Sequence, residues 1–153
     1  MRRVTATPHY HPAMPTIART TLAVIAGLVA SFVVVACVES LSHILYPAPE
    51  GVDLSDPEQL KAFVSTLPLG ALLAVIVAWI AGAFVGGKVT RAIDTDRPSI
   101  ACGTFGGLFL AVTAANLFLI PHPTWFAIVA VLSIIVVVVL VARVPKRPPV
   151  AHE

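Results

Sequence analysis

Glu39 and His43 stand four residues apart, so on a helix they share one face, and Tyr46 lies about one turn beyond. Asn116 closes a later apolar run, and His122 and Trp125 flank a short turn just after it. Two imidazoles with a carboxylate form a recognised metal set, which singles out Glu39, His43 and His122. A carboxylate beside an imidazole can also move protons in acid–base catalysis. The candidate polar cluster is therefore Glu39, His43, Asn116 and His122. A plainer account competes with it. All four fall at the ends of apolar runs, where charge is cheap, and Tyr46 and Trp125 are ordinary anchors at a membrane–water boundary. No nucleophile motif, phosphate loop or cofactor fingerprint accompanies the cluster. No catalytic residue is assigned, no cofactor is expected, and an enzyme is the less favoured expectation.

What positions these residues follows from composition. The chain has 153 residues, 58% hydrophobic and only 12% charged, with a mean hydropathy of +0.92. A soluble domain carries about 25% charged residues, so the missing solvent is lipid. Crossing the hydrocarbon core takes roughly 20 apolar residues. Four segments qualify, at residues 17–45, 67–87, 99–119 and 124–142. All four are expected to be helices, because lipid-exposed backbone must bond within its own segment. The expected fold is an all-α membrane protein, a four-helix transmembrane domain over residues 17–142. It lies between a cytoplasmic tail (1–16) and a basic, proline-rich tail (143–153).

Lys and Arg set the direction. Arg2, Arg3 and Arg19 precede the first span. Lys88, Arg91 and Arg97 lie in the middle connection, and Arg143, Lys146 and Arg147 follow the last span. Nine of the ten basic residues thus share a side, Lys61 being the exception. Both termini are expected in the cytoplasm of a cell with its plasma membrane as the location. The first connection, with Glu50, Asp53, Asp56 and Glu58, is expected outside. Val34-Val35-Ala36-Cys37 loosely fits a lipoprotein cleavage box. Lipidation there would delete a span and leave the basic tail outside, against the charge distribution. Cys37 and Cys102 fall at different depths and form no disulfide framework.

In the first connection, Ser55 and Glu58 have capping-box spacing around Pro57, and Leu60, Phe63, Val64 and Leu67 follow at helical spacing. This predicts a short amphipathic helix on the outer surface, bending at Pro68 into the second span. Its acidic residues lack a calcium-loop pattern. The third connection, residues 120–124, predicts a tight turn. His9 and His11 are too poorly organised to argue for metal. No internal repeat supports an inverted-repeat carrier.

Lipid is as apolar as leucine, so spans associate where small residues allow close approach. Gly70, Ala74, Ala78, Gly82 and Gly86 recur every four residues in the second span; Gly103, Gly107, Ala111 and Ala115 do so in the third; Ala23, Gly27 and Ser31 form a shorter series in the first. These small-xxx-small stripes predict that the second and third spans sit closest, packing through Gly70, Gly82, Gly86, Gly103 and Gly107. The fourth span, Val, Ile and Leu nearly all round, is expected at the periphery. No ionisable residue lies mid-span, which argues against a proton-coupled carrier. The uncharged stretch from Thr20 to Val38 measures about 28 Å at 1.5 Å per residue, which brings Glu39 to the outer boundary.

The run from Glu39 through His43 to Tyr46-Pro47, then Gly51-Val52-Asp53, Asp56-Pro57, Leu67-Pro68-Leu69-Gly70 and Trp79, resembles a group of small uncharacterised four-span bacterial membrane proteins. The segment from Asn116 through Ile120-Pro121-His122-Pro123-Thr124-Trp125-Phe126 resembles the same group. The resemblance implies a bacterial cell-membrane protein and brings no activity with it. The expected function is that of a non-enzymatic membrane component: an accessory subunit, a small-ligand binder or a self-associating bundle. A metal site or enzyme at the outer edge, and an oligomeric channel or transporter subunit, are the alternatives. The expected partner is the lipid bilayer, with a second copy or another membrane protein left open, and nucleic acid is not expected.

Overall fold

The computed structural model describes residues 15–120 and 122–144. The remaining residues, among them Arg2, Arg3, His9, His11, Pro121, Lys146 and Arg147, lie outside the described part. Five helices follow in order: α1 (Thr16–Leu45), α2 (Pro57–Thr66), α3 (Leu69–Ile93), α4 (Pro98–Leu119) and α5 (Thr124–Arg143). The described residues contain no strand. The four longer helices are each long and apolar enough to cross a membrane.

Proline sets the starts. Pro15, Pro68 and Pro123 immediately precede α1, α3 and α5, while Pro57 and Pro98 open α2 and α4. A proline there forfeits only a backbone N–H that has no helical partner. Two boundaries differ from the sequence expectation. α3 continues past Gly87 to Ile93, so Lys88 and Arg91 belong to its last turns rather than to the connection. Lys and Arg are good helix formers and are favourable near a helix C-terminus. The cap of α2 is Asp56, not Ser55: the Asp56 carboxylate accepts from the N–H groups of Glu58 and Gln59, while the Ser55 hydroxyl donates to Asp53. A carboxylate at a helix N-terminus adds charge–dipole attraction to the cap.

α3 is the central helix, with 44% of its apolar window buried against 22–28% for the other three. Its closest partner is α1, which corrects the expected pairing of the second and third spans. A Cβ on Gly86 would fall 2.5 Å from the Gly27 carbonyl oxygen, and one on Gly27 would fall 2.7 Å from that of Gly86. The Ser31 hydroxyl lies 2.9 Å from the carbonyls of both Gly27 and Gly82, and its one hydrogen is shared between them. Thr90 donates to Gly86 O at 2.9 Å. The short series of α1 is thus the partner of the long series of α3.

Gly103 and Gly107 do not pack: a Cβ on either meets no atom within 4 Å. α4 instead turns Phe105 and Phe109 inward, their rings stacked at 5.8 Å, and uses Gly106 to admit Val138 of α5. α5 is no more peripheral than α1, since each buries 22% of its window. Phe126, Ala130, Ile134, Val138 and Val141 form its buried stripe, and Ile128, Leu132, Val136 and Leu140 its exposed one.

Polar ties close one end of the bundle. Arg19, at the start of α1, donates to Ile93 O at 2.8 Å and pairs with Asp96 at 3.0 Å. The Thr20 hydroxyl donates to Asp94 at 2.5 Å. The fully buried Asp94 also accepts from the N–H groups of Asp96 and Arg97. The Thr20 hydrogen bond, then the Arg97 N–H, hold its carboxyl below the usual carboxylate range, against an opposing push from burial. Arg91 donates to the carbonyls of Ala142 and Val144 at the end of α5. These contacts gather the start of α1, the end of α3, the start of α4 and the end of α5 at one end, here termed the tail end. The four long helices therefore alternate in direction.

Candidate functional site

The opposite, far end is hollow. Because α1 and α4 run toward it and α3 and α5 leave it, the ends of the first pair and the beginnings of the second surround one space. Glu39, Ser42 and His43 reach it from α1 and Tyr46 from the residue capping that helix; Trp79 comes from α3, Asn116 from α4, and His122 from the α4–α5 connection. Leu60, Phe63 and Val64 of α2 line it as well, with Leu54 and Leu67 from the flanking connections. The cavity measures about 190 Å³. All four residues of the candidate cluster, Glu39, His43, Asn116 and His122, line it.

Lining one cavity is weaker than forming one site. Among the described residues no three His, Cys, Asp or Glu side chains converge to hold a metal ion. The metal set of Glu39, His43 and His122 is therefore not assembled. The reason is visible at His122. Its ring stacks on Phe126 with centroids 4.5 Å apart and planes 13° apart, and it stands edge-on to Trp79. Nδ1 lies 2.7 Å from Ile120 O, and since a carbonyl only accepts, Nδ1 carries the hydrogen. Burial pushes the His122 pKa down, with the Ile120 hydrogen bond opposing. The ring is thus neutral near pH 7, with Nε2 left as an acceptor.

No hydrogen bond between described residues engages the side chains of Glu39, His43, Tyr46 or Asn116, and no fully buried polar side-chain atom lacks a partner. Their polar atoms are consequently accessible rather than locked in a network. The Tyr46 hydroxyl packs on Gly70, where a Cβ would come within 2.6 Å of it. Gly70 therefore makes room for a side chain of the site rather than for a neighbouring span. Trp125, 40% exposed, stands edge-on to Phe126.

Trp79 is the lining residue that sequence reasoning undervalued. It is only 5% exposed, yet its indole N–H has no partner among the described residues. The side chain lines the cavity beside His122 and Phe126. The available signal was a single indole, with its polar handle, in an otherwise aliphatic outer half of α3.

A second space of about 210 Å³ lies between α1 and α4, lined by Phe32, Val35, Phe109, Val112 and Thr113 together with Glu39, Trp79 and Asn116. The last three line both spaces and form the boundary between them. Phe32 and Val112 are 44% and 47% exposed, so this space opens sideways on the flank of the bundle. No protein-family model, curated protein or solved structure matches the chain.

Proposed function

We propose that this is a non-enzymatic protein of the bacterial cell membrane, with both termini in the cytoplasm, that binds a small ligand at its outer end. The observation that carries the reading is the far-end cavity, whose wall presents the Glu39 carboxylate, the Asn116 amide, the His43 imidazole and the Trp79 indole N–H, none with a hydrogen-bond partner among the described residues. A structural polar network would have spent these groups on one another; a binding site keeps them free. In this reading α2 is an amphipathic helix on the outer surface, laying Leu60, Phe63 and Val64 over the cavity. The distribution of Lys and Arg supports the orientation.

The chain has two tryptophans, so the Trp125→Phe variant leaves Trp79 as a reporter in the cavity wall. In nanodiscs, a panel of small polyols, amines and single-chain amphiphiles should include a compound that shifts Trp79 emission saturably. Ala71→Phe, which fills the cavity, should abolish the shift. A folded protein whose Trp79 responds to none of the panel overturns the reading. Self-association is a second reading, favoured by the exposed glycines Gly103 and Gly107 on α4. Its test is disulfide crosslinking of Gly107→Cys between copies in the membrane.

A further inference from the structure

The two spaces that share Glu39, Trp79 and Asn116 differ in character. The far-end cavity has polar atoms on its wall, whereas the flank space is walled mainly by Phe32, Val35, Phe109 and Val112 and opens sideways between two apolar helices. Each alone is smaller than the roughly 300–1,000 Å³ usual for ligand pockets, and together they come to the lower end of that range. Such a bent, two-part space suits a molecule with a polar head and one apolar chain.

The boundary residues specify the head. Trp79, a cavity-wall residue, offers an indole N–H with no partner among the described residues, which an acceptor on the ligand can meet. Glu39 offers only acceptors, so a donor must meet it. No Lys or Arg lines either space, so an anionic head would meet no permanent positive charge, only the imidazoles of His43 and His122, and would face the Glu39 carboxylate. An ammonium head would suit Glu39 but leave the indole N–H unsatisfied. A hydroxyl group next to an ester or amide carbonyl satisfies both.

Resting on the ligand-binding reading above, we infer that the ligand is an uncharged single-chain amphiphile of the acylglycerol type, its hydroxylated head in the far-end cavity and its chain leaving between α1 and α4. The carbonyl accepts from Trp79 Nε1, a hydroxyl donates to Glu39, and the Asn116 amide is placed to bond either. The chain lies along Phe32, Val35, Phe109 and Val112, continuous with the surrounding lipid. It need not cross the bundle, and it reaches the site laterally from the bilayer.

The test uses the full chain with Trp125→Phe in phosphatidylcholine nanodiscs. The probes are a monoacylglycerol, a fatty acid and an alkyltrimethylammonium of equal chain length, each with a brominated chain. At about 1 mol%, where bulk collisions with a shielded indole are rare, the monoacylglycerol should quench Trp79 saturably and the other two should not. Val112→Phe or Val35→Phe, filling the flank space separately, should weaken quenching at least about tenfold. Glu39→Gln should weaken the monoacylglycerol and improve the fatty acid. Preference for the charged probes overturns the head assignment. Quenching unchanged by both groove variants overturns the chain path. If no brominated probe quenches while another compound still shifts Trp79 in an Ala71→Phe-sensitive way, this inference falls and the binding reading stands. Silence in both assays removes both.

Discussion

Replacing Gly86 with alanine adds one methyl group at the tightest point of the bundle. The new Cβ would sit 2.5 Å from Gly27 O and 2.7 Å from the Phe105 ring, and it would overlap the Ser31 hydroxyl. Ordinary contact begins near 3.4 Å, so α1 and α3 must separate by roughly 1 Å, because a carbonyl oxygen cannot rotate aside as a side chain can. Overpacking of this kind costs about 1–3 kcal/mol. The same separation stretches the Ser31–Gly82 bond, now 2.9 Å, beyond hydrogen-bond range, and interhelical bonds of this type are worth about 0.6 kcal/mol. Less the roughly 0.5–1 kcal/mol that alanine gains over glycine in any helix, the expected loss is about 1–3 kcal/mol, read as a shift in the SDS-induced unfolding midpoint followed by circular dichroism in mixed micelles. Gly107→Ala is the control: its Cβ meets nothing, and alanine is the better helix former by about 0.5–1 kcal/mol, so stability should hold or rise. Gly86→Ala within about 0.5 kcal/mol of the parent, the scatter of inert surface changes, would refute the argument that backbone contact between α1 and α3 holds the bundle. So would an equal loss at Gly107.

Asp94 makes tail-end stability pH-dependent. Its pKa is lowered on folding, so its contribution is full above the unfolded value of 3.8 and is lost as pH falls through the lower folded value. Unfolding midpoints should drop below about pH 4, and Asp94→Asn should flatten that drop. Arg91→Met, which removes the donors to Ala142 O and Val144 O, should raise hydrogen exchange in the last turn of α5 and leave the far end unchanged. For orientation, an impermeant thiol reagent applied to intact cells should label Ser55→Cys and spare Asp96→Cys, in a background without Cys37 and Cys102. The reverse pattern would invert the topology. Asp94→Cys is unsuitable for this purpose, because that position is fully buried on either side.

The spans were legible because length and hydropathy act through a solvent that leaves the backbone no alternative to helix. Which helices touch was less so. Small residues at four-residue spacing mark a surface that permits approach, and both α3 and α4 carry one; only rotation about the axis decides which is used. In α4, a shift of one position, from Gly107 to Gly106, moves the contact by about 100°, and the aromatic pair Phe105 and Phe109 claims the inward face by its larger apolar area. The same limit applies at the far end. Depth along each helix brought Glu39, His43, Asn116 and His122 to one level and so to one cavity. It could not reveal that His122 is held back against Phe126, nor that Trp79, from a helix with no other polar group at that level, completes the wall.

The placement of tight and loose contacts along α1 gives the molecule a mechanical asymmetry. The helix is pinned at Arg19 and Thr20 and pressed backbone to backbone on α3 at Gly27. Beyond that contact it extends 18 residues to Leu45, about 27 Å; Ser31, Val35 and Val38 still pack on its neighbours, while Phe32, Glu39, Ser42 and His43 line the two spaces. Gly27 and Gly86 thus act as a fulcrum with a short anchored arm and a long, more loosely held one. A tilt of about 5° there carries Leu45 through about 2 Å over that length while the anchored end barely moves. A lever motion about this contact would change the mouth between α1 and α4 first, and the Ser31–Gly82 bond, one turn past the fulcrum, would resist it.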